Sequence, residues 1–196
     1  MFISIDGPDG VGKSTVAREL VLRLQQNGRN AVLTSEPTKT PLGLLIRKKL
    51  KTDSENLTDL FIKDREIHVK AFIEPYLLDD MIVVTDRYKY STVCYQHLQG
   101  MPLKELIDRN KDFRLPDISF ILYIDDVTKL LSRIVARSQS IDFFETEDML
   151  QKCCLLYKEM PQHFPTENIQ LINADLSEGE LLNVLYNKVL QVSDKD

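Results

Sequence analysis

The run Gly7-Pro8-Asp9-Gly10-Val11-Gly12-Lys13-Ser14-Thr15 sets the architecture of this 196-residue chain. It follows the apolar run Phe2-Ile3-Ser4-Ile5 and precedes a helix-like pattern over residues 16–26. The spacing G-x-x-x-x-G-K-[ST] between a strand and a helix is typical of a loop whose backbone N–H groups bind phosphate oxygens. The amine of Lys13 can reach the β- and γ-phosphates, and the hydroxyl of Ser14 can ligate Mg²⁺. We therefore predict a nucleoside triphosphate site at residues 7–15.

The composition indicates a single globular domain over residues 1–196. Hydrophobic residues make up 43% of the chain and charged residues 28%, which is typical of a soluble globular protein. The net charge of −5 argues against a nucleic-acid partner, because such partners require a positively charged surface.

The apolar runs and the cysteines suggest where the protein works. No apolar run approaches the roughly 20 residues needed to cross a bilayer, so we expect no membrane partner. Asp6 and Gly7 interrupt the first apolar stretch almost at once, which does not fit a signal peptide. The three cysteines at positions 94, 153 and 154 show no disulfide framework and no metal-binding spacing. We therefore expect buried thiols in a cytoplasmic protein.

Apolar, β-branched runs alternate with helix-like patterns along the chain. The predicted strands are residues 2–6, 31–34, 82–85, 118–124 and 169–172. The predicted helices are residues 12–27, 42–50, 56–78, 103–110, 128–137, 146–160 and 177–192. Pro75 is expected to kink or end the third helix near Glu74. This alternation predicts an α/β fold in three layers, with a five-stranded parallel sheet flanked by helices.

Ligands of such sheets bind at the carboxyl ends of the strands, where two charged groups stand out. Asp86 and Arg87 follow the third predicted strand, and beside a phosphate loop a carboxylate can orient a metal while an arginine clamps a phosphate. A surface ion pair is the alternative. Asp9 lies within the loop, where it needs a cation or a ligand hydroxyl nearby, although Pro-Asp-Gly is also an ordinary turn sequence.

One predicted helix carries a candidate base-binding pair. Phe61 and Arg65 are four residues apart and share a helix face, so they could stack on and hydrogen-bond to a nucleobase. Periodicity alone favours the alternative, a core phenylalanine with a solvated arginine. The histidines at 68, 97 and 163 show no metal-binding spacing, and we interpret them as structural or surface residues.

Taken together, these blocks resemble the thymidylate kinase family, P-loop kinases that pass the γ-phosphate of ATP to dTMP. The similarity extends through almost the whole chain and keeps its order. It is carried by Asp9–Ser14, Glu36-Pro37, Asp64-Arg65-x-x-His68, Asp86-Arg87-Tyr88 with Ser91 and Tyr95-Gln96, Leu115-Pro116-Asp117, Arg133 to Arg137 with Phe144-Glu145, and Asn173-Ala174-Asp175.

The resemblance implies a role for each matching residue. It implies that residues 7–15 and Arg133 bind ATP, and that Ser14 and Asp86 hold Mg²⁺. Phe61 stacks on the thymine, Arg65 donates to its O4 oxygen, and Thr92 and Tyr95 approach the deoxyribose. The other implied groups are Asp9, Glu36, Arg47 and Arg87 on the acceptor side, and Asp9, Lys13 and Arg87 in catalysis. Arg137 is the implied catalytic cation in a lid at about 137–145. The family commonly forms homodimers.

The chain departs from the family pattern in three places. Ser35-Glu36-Pro37-Thr38-Lys39-Thr40 replaces the usual Arg-Glu-Pro-Gly-Gly-Thr, so Lys39 offers a point charge in place of an arginine fork. Phe143 stands where many members carry an arginine, and Gly10 where some carry a basic residue. We therefore predict that Arg137 supplies the catalytic cation, with Arg133 in reserve.

These departures leave other functions open. A kinase for another nucleoside monophosphate or for a deoxynucleoside is one alternative, and a P-loop protein that binds nucleotide without turnover is another. The donor groups of Arg65 favour thymine or uracil, because the amino group of cytosine would meet them with a second donor.

Overall fold

The computed structural model describes residues 1–52, 57–137 and 146–193, without the side chains of residues 51, 52 and 137. Its strands are β1 (Phe2–Asp6), β2 (Ala31–Ser35), β3 (Ile82–Asp86), β4 (Ile118–Tyr123) and β5 (Ile169–Asn173). Its helices are α1 (Lys13–Gln26), α2 (Pro41–Thr52), α3 (Thr58–His68), α4 (Glu74–Leu78), α5 (Lys89–Leu98), α6 (Leu103–Asn110), α7 (Val127–Arg137), α8 (Glu147–His163) and α9 (Glu178–Ser193).

The described strands form one parallel sheet in the order β2-β3-β1-β4-β5. The central strand β1 pairs with β3 through Ile3 and Val84, and with β4 through Ile3 and Ile118. Every residue of β1 is buried, as expected for a strand that is covered on both faces. The predicted α/β fold with a five-stranded parallel sheet is confirmed, and the observed strands differ from the predicted ones by at most one residue at their ends.

Two large apolar clusters hold the helices against the sheet. One includes Leu20 and Leu24 of α1, Phe120 of β4 and Leu185 of α9. The other includes Tyr90 of α5 with Cys153, Tyr157 and Met160 of α8. Burying each large apolar side chain contributes roughly 1.5–3 kcal/mol, so the two clusters supply most of the driving force for docking the helices.

All three cysteines are buried free thiols, as expected from their spacing. Burial raises the pKa of Cys154 to about 11, so its thiol stays protonated at neutral pH. Within the described residues, none of the helices has both the length and the apolar character required to traverse a bilayer.

The long predicted helix is interrupted just before Pro75, close to Glu74, where we expected it to kink or end. A π-helical turn over Val69–Ile73 joins α3 to α4, and Pro75 then lies in the first turn of α4. A missing N–H is tolerated in a first turn, because the first N–H groups of a helix have no partner within it.

Helix α5 was not predicted from the sequence. Its first residues include Tyr90, Thr92 and Val93, types with modest helix propensity. The helix forms because the buried carboxylate of Asp6 accepts hydrogen bonds at its start, from the backbone N–H of Tyr88 at 3.1 Å and of Ser91 at 3.0 Å. A distant strand residue thus supplies the cap that the local sequence lacks.

Candidate active site

The phosphate loop connects β1 to the N-terminus of α1. Gly7 has a φ of +144°, and a Cβ there would lie 2.4 Å from the carbonyl oxygen of Leu122. Gly10 has a φ of +78°, and a Cβ there would lie 2.8 Å from the carbonyl oxygen of Leu130 in α7. The loop therefore has room for no side chain at either position, and α7 closes over the place where some family members carry a basic residue.

The amine of Lys13 lies within this loop, almost fully buried. Its Nζ donates to the carbonyl oxygen of Pro8 at 2.7 Å, and only 5% of the residue is exposed. Burial, together with the positive charge of Arg87, lowers the pKa of Lys13 to about 8. The amine is therefore held in a place that disfavours its charge, and a bound polyphosphate would restore that charge.

Ser14 and Asp86 meet where α1 begins and β3 ends. The Oγ of Ser14 donates to Oδ2 of Asp86 at 2.5 Å, and Oδ1 of Asp86 is buried without a hydrogen-bond partner among the described residues. A hard cation such as Mg²⁺ takes oxygen ligands of this kind, so the pair fits a metal. The described residues hold no group of three or more histidine, cysteine or carboxylate side chains that could bind a metal ion. Phosphate and water oxygens would have to complete the coordination.

Asp9 links the phosphate loop to the charged end of β3. Its Oδ1 accepts a hydrogen bond from Nη2 of Arg87 and lies 3.9 Å from Nζ of Lys13. Its Oδ2 accepts from the hydroxyl of Tyr95 at 2.9 Å, and the guanidinium of Arg87 lies 5.3 Å from the centre of that ring. Asp9 and Lys13 of the phosphate loop are therefore in contact with Arg87, which is distant in the sequence, and Arg87 pairs with Asp9 within the candidate site.

Arg87 itself occupies an unusual backbone conformation. Its φ is +72°, and its N–H donates to the carbonyl oxygen of Ile5 at 2.9 Å. The carboxylate of Asp6 accepts hydrogen bonds from Tyr88 and Ser91, which follow Arg87. It also accepts one from Oγ of Ser91 at 2.6 Å. Burial raises the pKa of Asp6 even though these hydrogen bonds act to lower it. Sequence reasoning assigned Asp6 no role, and its position at the end of β1 was the only signal.

Arg65 is buried, which excludes the alternative of a solvated arginine. Only 1% of it is exposed. Its Nε and Nη2 both donate to Oε2 of Glu36, at 2.9 and 2.6 Å. Nη2 also donates to Oγ1 of Thr92 at 2.9 Å. Nη1 donates to Oδ1 of Asn110 at 2.5 Å. Phe61 is half-buried one helical turn before it. The geometry thus brings Arg65 and Thr92 together, and their contacts with a base and a sugar stay predictions.

Glu36 orients groups around it with both carboxylate oxygens. Oε2 accepts from Arg65, while Oε1 lies 3.0 Å from Nδ1 of His68. The other ring nitrogen of His68 lies 2.7 Å from Oγ1 of Thr34. Burial acts to raise the pKa of Glu36, but the charge of Arg65 and the contact with His68 outweigh it and lower the pKa. A direct contact between Glu36 and a substrate stays a prediction, whereas His68 is structural, as we interpreted it.

Asp64 forms hydrogen bonds to the segment of residues 35–40 that departs from the family pattern. The N–H and Oγ1 of Thr38 donate to this carboxylate at 2.7 and 2.6 Å. Arg47 of α2 donates to the carbonyl oxygen of Pro37 and is otherwise exposed. Lys39 is exposed beside it. These hydrogen bonds hold the segment in the absence of its glycines, and the phosphate contact predicted for Arg47 stays a prediction.

Two clefts open on the carboxyl ends of the strands. The first, of about 570 Å³, is lined by the phosphate loop and by Arg87, Arg133, Ala174 and Leu176. The second, of about 590 Å³, is lined in part by Ser14, Lys39, His68, Phe72 and Asp86. The described residues that line them do not include Phe61, Arg65 or Thr92. The side chain of Arg137 and residues 138–145 of the predicted lid lie outside the described part.

Comparisons with known proteins point in one direction. A family model described as thymidylate kinase matches residues 5–184. A thymidylate kinase of Xanthomonas euvesicatoria pv. vesicatoria is 39% identical over 160 residues, which cover 80% of this chain and 70% of that protein. A thymidylate kinase of Xanthomonas oryzae pv. oryzae is 38% identical over the same shares. A probable thymidylate kinase of Thermococcus kodakarensis is 37% identical over 202 residues, which cover 97% of this chain and 95% of that protein.

Proposed function

The chain belongs to the thymidylate kinase family, and from this premise we propose that it transfers the γ-phosphate of ATP to dTMP, giving ADP and dTDP. One observation supports the proposal beyond the family match. Oδ1 of Asp9 contacts both Arg87 and Lys13, so the cation predicted for the acceptor phosphate and the cation of the phosphate loop are held by one atom. Two phosphates bound by these cations would lie next to each other, as a transfer between them requires.

The residues suit a reaction that needs alignment and charge neutralisation. Phosphoryl transfer to a phosphate oxygen requires no general base, because that oxygen is already ionised. Lys13 would bind the donor phosphates and Arg87 the acceptor phosphate. Ser14 and Asp86 would hold Mg²⁺, which when bound neutralises charge on the β- and γ-phosphates. Asp9 keeps both cations in place until the substrates take over its contacts.

The remaining roles on the acceptor side are part of the same proposal. Phe61 stacks on the thymine, Arg65 donates to O4, and Thr92 and Tyr95 limit the space around the sugar. Arg133 lies in the first cleft, where ATP would bind. The lid cation is Arg137.

A coupled ADP-release assay tests the activity. The wild type is given ATP and Mg²⁺ with dTMP, dUMP, dCMP or dGMP, and we expect dTMP to have the highest kcat/KM. Lys13→Met should retain less than about a tenth of the wild-type kcat, since the neutral side chain removes the phosphate-loop cation. The matched control is Lys152→Met, which changes a lysine that is 54% exposed on α8. A preference for dCMP or dGMP, or full activity of the Lys13 variant, would reject the proposal.

We also propose that the protein is a homodimer that works in the cytoplasm. Leu33 and Ile67 are 41% and 38% exposed, and both line the second cleft beside the edge strand β2. A second copy would cover this apolar edge. Ile67→Asp should then reduce the mass measured by light scattering to that of one chain, whereas Leu78→Asp, at a side chain that is 87% exposed on α4, should not. The buried free thiols suit a reducing compartment.

A further inference from the structure

One N–H group of Arg65 has no hydrogen-bond acceptor among the described residues. A guanidinium carries five N–H groups. Among the described residues, Glu36 accepts two of them, Thr92 one and Asn110 one. The group that is left belongs to Nη1, the same nitrogen that donates to Asn110. Whatever Arg65 recognises must therefore meet this single N–H.

The ring faces around Arg65 fix the plane in which that N–H lies. The guanidinium carbon is 5.1 Å from the ring centre of Tyr88 and 5.5 Å from that of Phe113. The carboxylate of Glu36 holds one edge of the plane through Nε and Nη2. Nη2 also donates to the neutral Thr92, whereas Nη1 has no charged partner among the described residues and donates to Asn110.

Asn110 has a defined orientation of its own. It is fully buried at the end of α6, and its Nδ2 donates to the carbonyl oxygen of Leu106 at 2.7 Å. Flipping the amide would bring Nδ2 against Nη1 of Arg65 and Oδ1 against that carbonyl, so both contacts would become repulsive. Helix α6 therefore presents an acceptor, and not a donor, to Arg65.

We propose that Asn110 is a positioning residue for base selection: by occupying one N–H of Arg65 Nη1, it directs the other toward the acceptor base. This inference rests on the proposed function. A pyrimidine with a carbonyl oxygen at position 4 accepts that N–H, whereas a 4-amino group places a donor against a buried, charged donor. Without Asn110, Nη1 is held less firmly, so its N–H meets O4 of thymine less well, whereas dCMP, which offers no acceptor at position 4, loses no such contact. Selectivity between dTMP and dCMP should then fall.

The test compares three substitutions of Asn110 with a control on the same helix. Asn110→Leu removes the hydrogen-bond acceptor and keeps the size of the side chain. Asn110→Ser moves the acceptor away from Nη1 with less disturbance of the packing. Asn110→Asp keeps the acceptor in place. Ile107→Ala removes half-buried apolar packing from α6 and leaves the Arg65 contact intact. For each protein, calorimetry gives the Kd of dTMP and dCMP, the ADP-release assay gives kcat and KM, and a thermal scan shows which variants are folded.

We expect the dTMP-to-dCMP affinity ratio to fall at least about fivefold in Asn110→Leu, and in the same direction in Asn110→Ser, chiefly through a higher KM for dTMP. Asn110→Asp should stay within about twofold of the wild-type ratio, because its carboxylate still accepts from Nη1. Ile107→Ala should leave the ratio unchanged.

An unchanged ratio in a folded Asn110→Leu overturns the inference, and if that variant does not fold, Asn110→Ser decides. A ratio that falls equally in Asn110→Asp also overturns it, because the acceptor would then be irrelevant. A failure of the proposed kinase activity would give a different result from a failure of the role proposed for Asn110. The wild type would then bind dTMP in preference to dCMP without releasing ADP, and the affinity ratios of the variants would still decide the role of Asn110.

Discussion

The buried amine of Lys13 makes nucleotide binding sensitive to pH in a range where few groups titrate. Burial and the charge of Arg87 lower its pKa from an ordinary 10.5 to about 8. That difference corresponds to roughly 3 kcal/mol, at about 1.4 kcal/mol per pKa unit. Above pH 8 the free protein increasingly holds a neutral amine, which cannot attract phosphate.

ATP affinity should therefore weaken as the pH rises. At pH 9.5 roughly one free molecule in thirty keeps the proton on Lys13, so the apparent Kd should rise by up to roughly thirtyfold relative to pH 7. Calorimetry with Mg²⁺ and a non-hydrolysable ATP analogue measures this between pH 7 and 9.5. In Lys13→Met the analogue should bind more weakly and show no such rise, which controls for titration of the nucleotide.

Whereas ATP affinity should fall as the pH rises, the contribution of Lys13 to folding stability should increase. A lysine with a lowered folded pKa binds more protons when unfolded, so its contribution to stability grows as the pH rises from about 8 toward 10.5. Without nucleotide at pH 7, Lys13→Met should be more stable than the wild type by up to about 3 kcal/mol in urea unfolding, and this gap should shrink by pH 9.5. A flat wild-type Kd across this range, or the same rise in Lys13→Met, would refute the reasoning.

Other changes test the surroundings of the site. Gly10→Arg should lower the melting temperature without nucleotide, because a Cβ there lies 2.8 Å from a backbone oxygen of α7, and an unchanged value would contradict that packing. Asp6→Ala removes three hydrogen bonds, so it should cost about 3 kcal/mol in urea unfolding. It should also lower kcat, because Arg87 loses its support; wild-type kcat would show that the support is unnecessary. Arg137→Ala should lower kcat more than Arg133→Ala, with little change in the KM of ATP, and the opposite ranking would reassign the lid cation.

Much of the fold could be predicted because its signals are local. The phosphate loop is nine contiguous residues between a strand and a helix, and the parallel strands are short apolar runs. Asp86 and Arg87 could be proposed for the site because parallel strands bring their carboxyl ends to one edge of the sheet. Their contacts with Ser14 and Asp9 join residues 72 and 78 positions apart, and follow once the strand order is known.

Other features of the fold and the site depend on contacts between residues that are distant in the sequence, which local sequence patterns do not reveal. The start of helix α5 is capped by the carboxylate of Asp6, which is 85 residues before Ser91 in the sequence. The local sequence has weak helix propensity, so the helix was not predicted. Periodicity showed that Phe61 and Arg65 share a face, yet it favoured a solvated arginine, whereas Arg65 is buried. The hydrogen bonds that Arg65 donates to Glu36, Thr92 and Asn110 distinguish a buried from a solvated arginine, because a buried charge must be paired and hydrogen-bonded. Local patterns thus establish which groups reach the edge of the sheet, whereas packing between distant segments determines which hydrogen-bonding groups remain for a ligand.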